Sequence, residues 1–342
     1  VQGKSEKPVY VLIEDGNVVI KDASALWGQT TVEAHRILKQ ELGDTVKVVA
    51  TGIAGENLVT FASVLADRDA SGSSGLGAVM GSKNLKAVAV RGSGRVQAAD
   101  PGRYRELAAY ARELRKGFGM GITPGTDQGL ELKKDYCYGC TGGFCFRGTY
   151  KASNGKVGKY MCGSATFYVL RSRNYYGESN EVPFFANMIC NEYGIDTHQI
   201  DVMMQWLSKC YQEGILSEKN TGIPLSKQGS LEFIETLVRK ISYREGFGDI
   251  LAEGKLKAAE YVGIGSQKFI SAGIITRANE TRDYDPMLIL TNALIYMTEP
   301  RRPIQLLHAS SLPLKRWLNW LEGWEDAFLS TEIFHDIAGK LW

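Results

Sequence analysis

Gly75-Leu-Gly-Ala-Val-Met-Gly-Ser-Lys-Asn-Leu-Lys-Ala-Val-Ala-Val-Arg91-Gly92 is the stretch on which the reading of the fold turns. Its second half, Leu85–Arg91, is an apolar run of strand length and reads as a buried β-strand. Its first half continues a run of small residues, Ala70-Ser-Gly-Ser-Ser-Gly-Leu-Gly77. Such a run predicts a loop in which successive backbone N–H groups around Ser73, Ser74, Gly75 and Gly77 can cradle a phosphate or another anion. A plain structural turn accounts for the same residues equally well. The glycines at 75, 77 and 81 give G-x-G-x-x-x-G, which is not the dinucleotide fingerprint. No Lys-Ser/Thr pair follows at P-loop spacing either.

Outward from this stretch, the first 92 residues mix strands and helices. Val9–Ile13 and Val18–Lys21 flank the turn-rich tetrad Glu14-Asp15-Gly16-Asn17 and predict a hairpin. Thr30-Thr31-Val32-Glu33 fits a capping box that opens a helix to about Leu42, before Gly43. Val46–Ala50 reads as a further strand. From Asp100-Pro101 the pattern turns helical, first to about Arg115 and then over 182–193, 197–213, 230–245 and 249–262. Leu231, Ile234, Leu237, Val238 and Ile241 form an apolar stripe at helical spacing. Gly194, Gly214, Gly246 and Gly263 stand where helix C-termini favour a residue without Cβ. The last forty residues, with Trp317, Trp320, Trp324 and Trp342, also read as helical. The fold class expected is α+β, a short mixed part followed by a mainly helical one, with a boundary near 93–100.

Composition narrows the function classes. With 342 residues, the chain suits two or three domains. Lys and Arg number 40 against 38 Asp and Glu, so the near-neutral balance predicts neither a nucleic-acid nor a membrane partner. No apolar run approaches the ~18 residues of a membrane span, and no signal-peptide pattern opens the chain, so a cytoplasmic protein is expected. Of six cysteines, Cys137, Cys140 and Cys145 crowd into Cys-Tyr-Gly-Cys-Thr-Gly-Gly-Phe-Cys. C-x-x-C spacing lets two thiolates face one centre, and the glycines leave backbone N–H groups near cluster sulfides. A [4Fe–4S] cluster, zinc and three reduced thiols all remain open, and either metal needs a fourth ligand from Cys162, Cys190, Cys210 or outside the chain. Cys190 and Cys210, among apolar helical neighbours, read as buried thiols. His35 and His198 read as ordinary helix residues, and Arg301-Arg302 as a solvated basic pair.

Taken with other segments, the opening stretch resembles the signature that closes the first domain of the tungsten-containing aldehyde ferredoxin oxidoreductases. Gly52-Ile-Ala-Gly-Glu-Asn57 resembles their preceding Gly-x-Ala-Gly-Glu-Asn segment. Asn191-Glu-Tyr-Gly194-Ile-Asp196-Thr197 resembles their pterin-contacting Asp-x-x-Gly-Leu-Asp motif, and the cysteines stand where these enzymes hold their cluster. Tyr243–Gly254 and Tyr284-Asp-Pro286 also resemble family segments, in the family's order. The resemblance implies a tungsten or molybdenum bis-pterin, oxidation of aldehyde to carboxylate, and electrons passed through a [4Fe–4S] cluster to ferredoxin or another electron-transfer subunit. It also implies a pterin phosphate at Ser73–Gly77 and pterin contacts at Asn191, Gly194 and Asp196. Residues 1–95 would belong to a β-rich base domain, 96–270 to a helical domain carrying the cysteines, and 271–342 to a second helical domain. Val1 would then fall inside the base domain and Trp342 inside an unfinished helical one. A homo-oligomer is left open.

Departures from the family pattern bear on the substrate. Ser73 stands where family members carry an Arg, Asn191 replaces an Asp, and the cysteine spacing is C-x2-C-x4-C rather than C-x2-C-x3-C. The acidic Gly-Pro-Glu-Tyr-Glu segment is replaced by Lys159-Tyr-Met-Cys162-Gly-Ser. Cys162 there is more similar to the tungsten subunit of class II benzoyl-CoA reductases, which implies a metal-ligating role. A family His aligns with Gln305, and His308 lies three residues on as a catalytic candidate. Reduction of an aryl-CoA substrate is therefore the alternative within the family. A non-catalytic iron–sulfur or zinc module of a larger complex is the alternative outside it.

Overall fold

A computed structural model describes residues 2–67, 70–94, 97–115, 133–134, 147–161, 164, 166–270, 274–276, 279–281 and 297. They fall into two compact units. The larger takes its described residues from 2–97 and 133–280, the smaller from 98–115, 281 and 297. The smaller unit's described part is chiefly one helix, Pro101–Arg115, whose first turn is capped by Asp100 accepting the Arg103 N–H at 2.9 Å.

In the larger unit the expected hairpin forms from β1 (Val9–Glu14) and β2 (Asn17–Asp22). Asp15 and Gly16 make its two-residue turn at φ 45° and 89°, the left-handed pair that matches the twist of paired strands. With β3 (Lys47–Thr51), β4 (Val64–Ala66), β5 (Ala70–Gly72) and β6 (Leu85–Arg91), they build a six-stranded sheet in the order β2-β1-β6-β3-β4-β5. Only β1 and β6 run parallel. Strand alternation puts Tyr10, Leu12, Val48, Ala50, Ala87 and Ala89 on one face. There they pack with Ala34 and Leu38 of α1 (Thr31–Leu42). The Thr30 side chain accepts the Glu33 N–H at 3.2 Å as the capping box requires. The reciprocal half is absent: the Glu33 carboxylate turns to Arg36, a stronger charge-assisted partner than a neutral N–H.

Two short helices flank strands of this sheet, α2 (Ile53–Glu56) after β3 and α3 (Leu76–Ser82) before β6. The small-residue run is thus not one loop. Ala70–Gly72 pairs with Val64–Ala66 as an edge strand, and only Ser73–Gly75 turns freely before α3. Gly and Ser have low strand propensity, but pairing with β4 supplies the backbone hydrogen bonds that a solvated loop would take from water.

Lys86 falls inside the apolar β6 run, on the face opposite Ala87, with its side chain fully buried. Its ammonium donates to the Glu56 carboxylate and to the Gln29 carbonyl at 2.7 Å, while Glu56 also accepts the Gly28 N–H at 2.8 Å. Burial pushes both groups toward neutrality, the Glu56 carboxyl up and the Lys86 ammonium down, and their mutual attraction opposes it. The pair ties β6 to α2 and to the chain entering α1.

The helical part contains α4 (Pro101–Arg115, in the smaller unit), α5 (Val169–Tyr176), α6 (Val182–Tyr193), α7 (Thr197–Gln212), α8 (Glu218–Thr221) and α9 (Leu231–Tyr243). It continues with α10 (Phe247–Ala252), α11 (Lys255–Val262) and α12 (Ile264–Gln267). Of the predicted α9 stripe, Ile234, Leu237, Val238 and Ile241 are buried with Ile200, Met203, Trp206 and Leu207 of α7, and Leu231 packs at its edge half-buried. Ala54, Val59, Phe61 and Ala62, which follow β3, enter the same core. Each such Leu or Ile side chain is worth about 1.5–3 kcal/mol of burial. Cys190 and Cys210 are buried free thiols, and burial pushes the Cys210 thiol up to about 11. The expected helix over 249–262 is divided, because Gly254 at φ 98° interrupts it between α10 and α11. Likewise α9 ends on Arg244 in the left-handed region, two residues before Gly246.

A second, three-stranded sheet joins Lys133–Lys134 (β7), Arg147–Lys151 (β8) and Val157–Met161 (β9). It packs on α6 through Tyr150, Ala152, Phe184 and Met188. A further two-stranded pair is formed by Ile274–Thr276 (β10) and Asn279–Thr281 (β11). None of the described helices is long and apolar enough to cross a membrane.

Breaking the buried pair on one side leaves an uncompensated charge, so Lys86→Met is expected to cost about 3–5 kcal/mol in denaturant unfolding. The double change Lys86→Met with Glu56→Gln should cost clearly less. A second expectation concerns acid. Asp67 accepts from Lys39 and, at 2.7 Å, from the Val48 N–H; although burial opposes it, these bonds hold its carboxyl below the usual range. A carboxylate lowered in the folded state stabilises above its unfolded value of about 3.9, and that contribution disappears as pH falls through the lowered value. The protection factor of the Val48 amide, taken against the intrinsic exchange rate at each pH, should therefore fall as pH drops through that lowered value, and should already be low at neutral pH in Asp67→Ala.

Candidate functional site

The residues singled out in three separate stretches of sequence meet around one short segment, Val59–Ser63. The Ser63 N–H donates to the Gly194 carbonyl at 2.8 Å, the Asp196 N–H to Phe61 at 3.3 Å, and Ala62 pairs with Ile195 in an antiparallel bridge. From its other side the Gly77 N–H donates to the Ala62 carbonyl at 3.0 Å, and the Thr51 hydroxyl donates to the Gly77 carbonyl at 3.2 Å. The Thr31 hydroxyl donates to the Asn191 carbonyl at 2.7 Å. Gly52–Asn57, Gly75–Gly81 and Asn191–Thr197 are therefore one assembly of backbone contacts.

Glycine is required where those backbones touch. A Cβ on Gly52 would collide with the Tyr193 carbonyl, and one on Gly77 would lie 2.5 Å from the Ser63 carbonyl oxygen. Gly194 has φ 75° and closes α6 with its N–H on Asn191 and the Ile195 N–H on Cys190. The chain then turns directly into α7, whose N-cap is Asp196: one carboxylate oxygen accepts the His198 N–H at 2.9 Å. The other oxygen has no hydrogen-bond partner among the described residues, nor has the half-exposed Asn191 amide. Ser73 is half-buried, Ser74 is exposed at φ 64°, and Gly75 follows at φ 81°; this pair of left-handed residues swings the chain from β5 into α3.

A second clamp holds Gly52–Asn57 from the helical side. The Arg244 guanidinium donates to the Asn57 carbonyl at 2.6 Å and the Leu58 carbonyl at 2.9 Å. It is itself held by Asp249 at 2.7 Å and Glu253 at 2.9 Å. Asn57 returns a bond from its amide to the Ser242 carbonyl at 2.8 Å. The Tyr243–Gly254 stretch, quoted above only as a family-like segment, acquires this positioning role.

Two polar side chains that the sequence reading passed over flank the Asn191–Thr197 turn. Asn187 on α6 is 1% exposed and Gln199 on α7 is 8% exposed, and each has a buried side-chain oxygen without a partner among the described residues. Gln228 and Ser242, on other elements, share that condition. A signal for Asn187 was present: it interrupts the apolar run Phe184-Phe-Ala…Met188-Ile189 one helical turn before Asn191. Ser164, two positions past Cys162, lies with its hydroxyl 3.1 Å from that of Thr197. Cys137, Cys140, Cys145, Cys162 and His308 lie outside the described residues, as do Arg301-Arg302 and the tryptophans after 316. Among the described residues, no group of three His, Cys, Asp or Glu side chains could hold a metal ion.

Comparison with known proteins matches this order of segments. Residues 1–92 match "Aldehyde ferredoxin oxidoreductase, N-terminal domain", and residues 124–323 match "Aldehyde ferredoxin oxidoreductase, domains 2 & 3". The tungsten-containing aldehyde ferredoxin oxidoreductase of Pyrococcus horikoshii is 33% identical over 88% of this chain and 55% of its own length. The aliphatic sulfonate oxidoreductase, WOR-like subunit, of Pyrococcus furiosus is 28% identical over 76% of this chain and 49% of its own. Among solved structures, the active-site complex BamBC of benzoyl coenzyme A reductase with 1,5 dienoyl-CoA superposes with a TM-score of 0.65 at 27% identity, covering 78% of this chain and 47% of that one. The chain spans about half the length of the curated relatives it matches. With both family regions matched in order over most of its length, the chain belongs to the aldehyde ferredoxin oxidoreductase family.

Proposed function

We propose that this chain is part of an oxidoreductase that oxidises aldehydes to carboxylates at a tungsten or molybdenum bis-pterin, passing electrons through a [4Fe–4S] cluster to ferredoxin or another electron-transfer subunit. The observation that carries the reading is the convergence of Gly52–Asn57, Gly75–Gly81 and Asn191–Thr197 on one backbone assembly, in a chain of this family. The side chains present there fit a pterin. A pterin ring offers N–H donors, and the assembly offers acceptors that lack donors: the outer oxygen of Asp196 and the buried oxygens of Asn187 and Gln199.

In this proposal Asn191, Gly194 and Asp196 hold the pterin edge, with Asp196 already oriented by its capping bond. Ser73, Ser74, Gly75 and Gly77 receive a pterin phosphate on backbone N–H groups and serine hydroxyls. Ser73, in the place of the family's arginine, offers that phosphate a hydroxyl instead of a bidentate guanidinium. Cys137, Cys140 and Cys145 supply three cluster ligands, Cys162 a metal ligand and His308 a proton-handling group near substrate. Bound there, such a metal and cluster supply low-potential two-electron chemistry divided into single-electron steps, which side chains alone lack. Aldehyde and water give carboxylate, three protons and two electrons, and the electrons reduce two ferredoxins. The likeness to the benzoyl coenzyme A reductase complex, together with Cys162 where the family's acidic segment would lie, favours reduction of an aryl-CoA as the second reading.

Metal, iron and pterin analysis with electron paramagnetic resonance, on protein prepared anaerobically, tests the proposal. The expected result is tungsten or molybdenum with pterin, a [4Fe–4S] signal lost in Cys140→Ser, and aldehyde-dependent dye reduction. Turnover of an aryl-CoA without aldehyde oxidation selects the second reading. Zinc or iron alone, without pterin, overturns both. Asp196→Asn separates charge from capping: Asn caps as well as Asp, so α7 should keep its stability while pterin content falls by about 3–10-fold, the difference between a charge-assisted and a neutral hydrogen bond.

A further inference from the structure

Asn187 has one definite hydrogen bond and one conspicuous gap. Its amide nitrogen donates to the Lys159 carbonyl of β9 at 2.9 Å, which fixes the orientation of the amide because only the NH2 end can meet a carbonyl. The oxygen that remains is buried without a donor among the described residues. Leaving a buried amide oxygen unpaired costs about 1–3 kcal/mol, so native proteins seldom do so unless another molecule supplies the donor. Gln199 repeats the situation on the next helix: it stands three residues after Asp196, and its buried side-chain oxygen has no partner among the described residues. These two acceptors bracket the Gly194 turn, since Asn187 stands one helical turn before Asn191 on the same side of α6.

We infer that Asn187 and Gln199 are further residues of the cofactor site, each accepting an N–H group of the bound pterin through its side-chain oxygen. The inference rests on the proposed pterin site and extends it beyond the Asn191–Asp196 motif. Asn187 thereby has two jobs at once. Its nitrogen fixes the strand that ends at Met161, immediately before Cys162, and its oxygen faces the ligand. Gln199 has only the second job, because none of its side-chain atoms carries the fold through a bond to a described residue.

The two jobs separate by substitution. Asn187→Leu and Asn187→Asp both lose the donor to Lys159, but only Asp keeps an acceptor. Gln199→Leu removes an unpaired buried oxygen without removing any bond, so its cofactor-stripped form should melt at or above the wild-type temperature. Pterin per chain is measured as the fluorescent oxidised product released on denaturation, alongside the melting temperature of stripped protein. Loss of pterin during dialysis should be about 3–10-fold faster in Asn187→Leu and Gln199→Leu than in wild type, and within about twofold of wild type in Asn187→Asp. Equal acceleration in Asn187→Asp and Asn187→Leu, with none in Gln199→Leu, makes Asn187 a structural residue and overturns the inference. A change confined to the KM for aldehyde or aryl-CoA, with pterin retained, also overturns it. Absence of pterin from the wild-type protein instead overturns the proposed function itself. Gln199→Leu keeps the inference falsifiable should both Asn187 variants fail to fold.

Discussion

The arrangement of the candidate site depends on the close passage of the Gly52 backbone against Tyr193 and Gly194. No side chain can stand between them, because a Cβ on Gly52 would collide with the Tyr193 carbonyl oxygen and Gly194 has a left-handed φ of 75°. That contact sets how the strand-rich part of the chain meets the helices. Once it is made, Ala62 can bridge Ile195, Ser63 can bond Gly194, and α7 can start on Asp196. The residues proposed to hold a cofactor are consequences of that arrangement, since Asn191, Gly194 and Asp196 are the two ends and the middle of the turn.

Charged groups keep the contact in register. Lys86 and Glu56 meet under the sheet and fasten α2 to β6, while Arg244 grips the Asn57 and Leu58 carbonyls from the end of α9. Both clamps act on the chain leaving Gly52. Neither touches the Asn191–Thr197 turn, so they define its position without competing for a ligand's donors. Of the two, only Lys86–Glu56 is a buried ion pair, which contributes little net stability relative to apolar packing but is costly to break on one side; Arg244 acts chiefly through its bonds to the two carbonyls. Placed here, both clamps specify one position for a turn whose glycines provide almost no packing of their own.

Much of this was legible in the residues. The Asp15-Gly16 turn, the Thr30 cap, the β6 run and the α9 stripe each follow from local chemistry that the tertiary structure left undisturbed. Ala70–Gly72 was not legible as a strand, since its pairing with β4 depends on a partner the local pattern does not name. Gly254 was hidden inside a helical periodicity that continues on both sides of the break. The three site segments could be recognised one by one, yet their meeting around Val59–Ser63 is a long-range property. Lys86 reads as a blemish in a strand until Glu56 is seen beside it. Asn187 and Gln199 read as ordinary helix polars until the fold buries their oxygens with no donor among the described residues.

The central claim is that the turn between α6 and α7 receives the pterin. Amide hydrogen exchange on loaded and cofactor-stripped protein, followed over residues 185–200, tests it most directly. The account predicts slower exchange in the loaded form at this turn and at Ser73–Gly77, with the α9 core unchanged. Exchange at the turn that is identical in the two forms, while protection appears elsewhere in the chain, would contradict it.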